Sequence, residues 1–216
     1  MYQTVLFDLD GTLLNTLEDL ASAGNHVCAE NGWPTHPVDA FRYFVGNGIP
    51  KLCERFSPED QRSEERLAKT LEQFTQYYNV HKEDCTAPYP GIAAVLDALD
   101  EHHITYGVLT NKEHRLAQAV MQHYFPNRFR FVQGAVPGVA VKPDPTALLH
   151  LMKTVHADPK TTLFVGDSNV DIRTALNANI DSCGVLWGFR NEEELRTEGA
   201  THIAATPDAL CSVILR

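Results

Sequence analysis

The chain has 216 residues, 44% of them hydrophobic, which is enough to bury a core without covalent staples and leaves room for one smaller covering unit. Lys and Arg number 18 against 28 Asp and Glu, and the net charge of −10 disfavours attraction to nucleic acid or an anionic membrane. The five cysteines, Cys28, Cys53, Cys85, Cys183 and Cys211, are scattered without zinc spacing, and no apolar run nears a membrane span. With no secretory signal after Met1, a soluble cytoplasmic protein with reduced thiols is expected.

The first apolar run, residues 4–9, reads as a strand ending in Asp8-Leu9-Asp10-Gly11. Alternate side chains of a strand share a face, so as the chain turns at Gly11 both carboxylates can address one small space beyond the strand. Two like charges so close call for a hard cation, or for a proton on one while the other attacks. Asp-x-Asp-Gly is also a common surface turn, so the pair must be weighed with the rest of the chain.

Residues 16–85 carry helical patterns and no convincing strand, with Leu17, Leu20, Ala21, Gly24, Val27 and Cys28 on one stripe and Leu67, Leu71, Phe74 and Tyr78 on another. The chain returns through Ala87-Pro88-Tyr89-Pro90-Gly91, and from there strands and helices alternate. Helical stripes run over Ile92, Val95, Leu96 and Leu99 and over Leu148, Leu151, Met152 and Val155. Strands are expected at 105–110, 162–166 and 182–187, and helix starts at Asp144-Pro145 and Thr206-Pro207. The predicted architecture is α/β: a Rossmann-like parallel sheet with helices on both faces, formed by residues 1–15 and 87–216. Residues 16–86 would form an inserted helical cap over the space that the aspartates address.

Three more polar clusters fall near predicted strand ends: Thr110-Asn111-Lys112, then Lys142-Pro143-Asp144-Pro145, then Gly166-Asp167-Ser168-Asn169-Val170-Asp171. Ligands of open α/β sheets bind outside the carboxyl ends of the strands, so these clusters should converge on Asp8 and Asp10, with Lys142 arriving from a loop. Together they could run phosphoryl transfer, which needs an in-line nucleophile, neutralised oxygens and a proton for the leaving group. Asp8 would attack phosphorus and Asp10 would act as acid and then base. Mg²⁺ would be held by Asp8, the Asp10 backbone carbonyl and Asp167. Thr110 and Lys142 would grip the phosphoryl oxygens, and Asp171 would orient Lys142 or a water on the metal.

These four ordered motifs resemble those of the haloacid dehalogenase superfamily over residues 4–188. The helical insertion directly after the first motif is similar to the C1-type cap of its phosphoglycolate phosphatase-like branch. Gly46-Asn47-Gly48 and Thr110-Asn111-Lys112 resemble that branch too. The resemblance implies a Mg²⁺-dependent phosphatase acting on a small phosphate ester, phosphoglycolate before others, with Asn111 and the 46–48 turn contributing to substrate binding. Many members carry Asp where this chain has Asn15, so Asn15 is given no catalytic role.

Individually the residues have plainer readings: Thr110 as a strand-end turn, Lys142 as a solvated charge, Asp167 and Asp171 as a helix cap. Their joint order favours chemistry. A β-phosphoglucomutase-like phosphosugar mutase shares cap and nucleophile and stays open, as does a non-catalytic phospho-acceptor or regulatory binding protein. In the cap, Arg42, Lys51 and Arg55 have only Glu54 as a nearby acid in sequence and could meet an anionic substrate, although surface solvation explains them as well. Oligomeric state is not legible.

Overall fold

The structure is a computed structural model describing every residue from Met1 to Arg216. It divides into two compact units, Met1–Leu14 with Pro88–Arg216, and Asn15–Ala87. In chain order β1 (Thr4–Phe7) and β2 (Leu14–Asn15) precede four helices, α1 (Leu17–Glu30), α2 (Val38–Phe44), α3 (Ile49–Phe56) and α4 (Glu64–His81). Then come β3 (Ala87–Pro88), α5 (Ile92–Glu101), β4 (Thr105–Glu113), α6 (His114–Tyr124), β5 (Val132–Ala135) and α7 (Thr146–Thr154). The chain finishes with β6 (Thr162–Gly166), α8 (Asn169–Asn177), β7 (Asp181–Val185), α9 (Glu192–Thr197), β8 (His202–Ala204) and α10 (Pro207–Leu215).

The larger unit is built on a six-stranded sheet in the order β5-β4-β1-β6-β7-β8, parallel at every pairing, while β2 and β3 form a separate two-stranded ribbon. β1 reads Thr-Val-Leu-Phe without a break because both its faces are buried. Val5 and Phe7 pack with Val95 and Leu99 of α5, Val120 of α6 and Ile214 of α10. Leu6, pointing the other way, packs with Leu148 and Leu151 of α7 and Ala175 of α8. The result is one helical layer on each face of the sheet.

Some boundaries differ from the sequence reading. β1 ends at Phe7, two residues early, since the chain begins to turn at Asp8; β7 likewise covers Asp181–Val185 rather than 182–187. β4 runs on to Glu113, three residues past Thr110. β5 and β8 were not anticipated: Val-Gln-Gly-Ala and His-Ile-Ala are short outer strands, only partly buried, with little apolar pattern to mark them. Pro145, expected as the first helical residue, instead caps α7, so the helix starts one place later than expected, at Thr146, and Asp144 Oδ1 accepts the Thr146 N–H at 2.8 Å.

The smaller unit buries Leu17, Leu20, Ala21, Gly24, Val27 and Cys28 of α1, and Phe74 and Tyr78 of α4. Phe41, Phe56, Phe74 and Tyr78 form a run of rings with successive centroids 6.4, 6.1 and 5.5 Å apart. Gly24 is needed there, because a Cβ would sit 2.4 Å from the Phe41 ring. Asp19, buried on α1, accepts hydrogen bonds from the Cys85 and Thr86 backbone N–H groups and the Thr86 hydroxyl at 2.9, 2.8 and 2.6 Å, tying the returning chain to the first helix.

The basic trio of this unit is more engaged than its sequence neighbours suggest. Arg42 pairs with Asp39 at 3.2 Å and Lys51 with Glu54 at 2.7 Å, each one helical turn apart. Arg55 donates to the carbonyls of Tyr43 and Phe44 and to Asn47 Oδ1. The expectation that Glu54 alone faces all three is therefore corrected: helical spacing brings Asp39 to Arg42, and the α2–α3 turn folds back onto Arg55.

Candidate active site

A parallel sheet delivers the same end of every strand to one edge, and here that edge gathers the polar clusters. β1 lies between β4 and β6 with Phe7 level with both Val108 and Val165. Asp8, Thr110 and Asp167 thus emerge from neighbouring strands. Asp8 still donates its N–H to the Val165 carbonyl at 2.8 Å, so the last rung of the ladder fixes its backbone. The turn that follows depends on Gly11, which has φ of +89° and whose absent Cβ would lie 2.4 Å from Asp167 Oδ2.

Side-chain oxygens of Asp8, Asp167 and Asp171 lie within 4.8 Å of one another, and all three residues are buried. Lys142 enters from the loop before α7, its Nζ 2.8 Å from Asp8 Oδ1 and 2.6 Å from Asp171 Oδ1. Only 2% of the Lys142 side chain is exposed, and an ammonium so deeply buried is tolerable because it is paired on two sides. Its backbone is fixed by Asn111, whose side-chain amide donates to the Lys142 carbonyl at 3.0 Å and accepts its N–H at 2.9 Å. The residue expected to touch substrate thus has both ends of its amide on the Lys142 backbone.

Each remaining carboxylate is also held. Asp167 accepts from Thr12 Oγ1 at 3.1 Å and from the Phe189 N–H at 2.8 Å. Asp171 closes a capping box at the start of α8: its Oδ2 accepts from the Ser168 N–H and hydroxyl at 3.0 and 2.6 Å, leaving Oδ1 for Lys142. Both the cap reading and the Lys142-orienting reading of Asp171 describe contacts that are present, one on each oxygen.

Burial, reinforced by the charge of Asp171, raises the Asp8 carboxyl well above the usual range, with Lys142 pulling the other way. Burial and Asp171 also push Asp167 up to about 7. Burial alone would lower the Lys142 ammonium, but Asp171 and Asp8 more than offset it and raise it. Three buried carboxyl groups share the Lys142 ammonium, and even with Arg190 acting on Asp167 the raised Asp8 and Asp167 carboxyls show an all-oxygen donor set short of positive charge. That composition suits a hard divalent cation.

The Asp10 carboxylate lies outside this trio. Lys112 Nζ meets its two oxygens at 2.9 and 3.0 Å. Thr110 is buried within β4, its hydroxyl accepting the Lys112 N–H at 3.2 Å. Gly46, Asn47 and Gly48 belong to the helical unit, where Gly46 and Gly48 have φ of +118° and +83° and shape the α2–α3 turn. Asn15, given no catalytic role, accepts the Leu17 N–H at 3.4 Å. Lys112 lies in a cluster expected to converge on Asp8 and Asp10 but had no role of its own, and Thr12 and the Phe189 N–H carry no signal in the sequence.

Comparison with known proteins gives a consistent picture. Residues 5–185 match the family model described as haloacid dehalogenase-like hydrolase. A phosphoglycolate phosphatase of Pseudomonas putida is 31% identical over 203 residues, 90% of this chain and 73% of that protein. One of Vibrio parahaemolyticus is 30% identical over 216 residues, 97% of this chain and 95% of its own length. A crystal structure of a candidate phosphoglycolate phosphatase from Lactobacillus delbrueckii subsp. bulgaricus has a TM-score of 0.93 at 29% identity, covering 99% of this chain and 98% of that one. No helix is long and apolar enough to cross a membrane. With four ordered motifs meeting at one sheet edge and the family model spanning most of its length, this chain belongs to the haloacid dehalogenase-like hydrolases.

Proposed function

We propose that this hydrolase is a Mg²⁺-dependent phosphatase for a small phosphate monoester, and that its substrate is phosphoglycolate. The observation that carries the reading is the placement of Asp8: at the tip of the central strand, 2.8 Å from the buried Lys142 ammonium and beside Asp167 and Asp171. The substrate is supported by relatives about 30% identical over most of their length that carry the name phosphoglycolate phosphatase.

In this reading an Asp8 oxygen forms a bond to phosphorus while the bond from phosphorus to the ester oxygen breaks, giving an aspartyl phosphate. Asp10 donates a proton to the departing oxygen, then takes one from the water that attacks phosphorus, and inorganic phosphate leaves with Asp8 regenerated. Lys142 balances the negative charge on Asp8 and on the transferring oxygens, and Thr110 holds one of those oxygens. Asp171 and Asn111 keep Lys142 in place. Asp8, Asp167 and the Asp10 backbone carbonyl would hold Mg²⁺, which when bound supplies positive charge to the phosphoryl oxygens.

Residues 16–86 are assigned the role of cap, with the Gly46-Asn47-Gly48 turn contributing to substrate choice; their insertion directly behind the Asp8 motif supports this. The test is phosphate release with Mg²⁺ across phosphoglycolate, sugar phosphates, pyrophosphate and nucleotides. The expected result is the highest kcat/KM on phosphoglycolate, loss with EDTA, and recovery on adding Mg²⁺. Uniformly slow rates, metal-independent turnover, or isomerisation of a sugar phosphate on addition of a sugar bisphosphate would each overturn it.

A further inference from the structure

Strand β4 continues past Thr110 to Glu113, although Asn111-Lys112-Glu113 has no apolar character. Tertiary contacts hold this polar extension in place. Gly134 of β5 lies so close that a Cβ there would meet the Lys112 carbonyl oxygen at 2.6 Å. The pairing with β5 shifts register between Leu109 and Glu113, and along this stretch Asn111 bonds the Lys142 backbone while Lys112 brings its ammonium to both Asp10 oxygens at 2.9 and 3.0 Å. The Lys112 side chain is 3% exposed and that of Asp10 14%. An ordinary surface lysine does not surrender four methylenes of freedom and its hydration for one carboxylate. Two neighbouring residues of one strand thus reach two different groups of the site.

We infer that Lys112 is a positioning residue for proton transfer: it fixes the orientation of the Asp10 carboxyl so that one oxygen faces the ester oxygen of the substrate. The inference rests on the reading of Asp10 as the group that protonates the leaving oxygen. In that step the proton passes from one Asp10 oxygen to the ester oxygen as its bond to phosphorus breaks, and the other Asp10 oxygen keeps its hydrogen bond from Lys112 throughout. The charge left on Asp10 then appears against an ammonium already in place, with no solvent reorganisation required. A carboxyl freed of Lys112 would rotate about its side-chain torsions, and small misplacements of a proton donor are costly in rate.

The consequence depends on the leaving group. Glycolate leaves as an alkoxide and needs the proton, whereas p-nitrophenolate spreads its charge into the ring and departs without one. The experiment measures kcat and KM for phosphoglycolate and for p-nitrophenyl phosphate with Mg²⁺ in the wild type, Lys112→Met, Lys112→Gln and Asp10→Asn, with circular dichroism to verify folding. For Lys112→Met the fall in kcat on phosphoglycolate is expected to be about 100-fold, the lower end of what a positioned acid contributes. That fall should exceed the fall on p-nitrophenyl phosphate by at least about 30-fold. Lys112→Gln retains one hydrogen bond and should show the same selectivity at smaller size; it serves alone if the Met variant fails to fold. Equal losses on the two substrates in the Lys112 variants, while Asp10→Asn remains selective, would overturn the role of Lys112. A non-selective Asp10→Asn would instead overturn the reading of Asp10 itself.

Discussion

In the α/β unit Lys142, Asp8, Asp167 and Asp171 are buried in one network, whereas in the helical unit Arg42–Asp39 and Lys51–Glu54 pair one turn apart on single helices and face solvent. The same residue types are doing different physical work. Exposed pairs exchange water for a partner at little net gain, while buried charges pay a desolvation cost that only mutual pairing offsets. A chain keeps the second kind where the raised energy of its acids serves chemistry or awaits a cation, and the displaced carboxyls of Asp8 and Asp167 mark that place.

Four measurements test this contrast, beginning with the largest effect. Asp8→Asn removes the nucleophile without changing its size, so phosphate release should drop by at least about 10⁴-fold while the circular dichroism spectrum is unchanged. Turnover near wild type would end the assignment of Asp8.

Next, Lys142→Met leaves Asp8 and Asp171 facing each other without their shared cation. Loss of one partner of a buried pair costs roughly 3–5 kcal/mol, and the lower end is expected because Asp8, already raised, can take up a proton. Urea unfolding of the metal-free protein reads this directly. A change below about 1 kcal/mol would mean that the network is far better hydrated than its burial suggests.

The third measurement uses pH. Asp167 titrates near 7 in the folded protein, against about 3.9 for an unfolded chain, so between these values the folded state binds more protons. For this group stability is therefore highest below pH 4, declines as pH rises toward 7, and is level above it. Mg²⁺ competes for the same oxygens, so its affinity should strengthen from pH 6 to about 7 and then plateau, as calorimetry or the Mg²⁺-induced rise in Tm would record. An affinity independent of pH across that range would remove Asp167 from the binding set.

The smallest effect belongs to the helical unit. Lys51→Ala and Arg42→Ala break exposed i,i+3 pairs and should each change stability by no more than about 0.5 kcal/mol in urea unfolding. A larger loss in either variant would erase the distinction between the units. Arg55 is the instructive exception among the three, because its guanidinium holds the carbonyls of Tyr43 and Phe44 together with Asn47, and Arg55→Ala should cost more.

Local order along the chain was enough to place the main strands, the helical insertion and the four polar clusters, because each is written in contiguous residues. An apolar run long enough for one strand stops where Asp8 or Asp167 begins, and helical stripes repeat at their own period. Tertiary structure alone decided what depends on a distant partner. Short outer strands such as β5 and β8 take their conformation from the neighbour they pair with. Lys112 stands in a strand-end cluster that the sequence directs toward the site, but its partner is decided only by the fold: β4 lies beside β1 and carries its ammonium to Asp10, 102 positions earlier. Asp171 likewise shows a helix cap in its own sequence, and its second oxygen acquires meaning when Lys142 arrives from 29 residues away. Side-chain type and spacing are local properties, but burial and charge pairing belong to the folded chain, and they determine which carboxylates of this protein sit at raised energy and which are merely solvated.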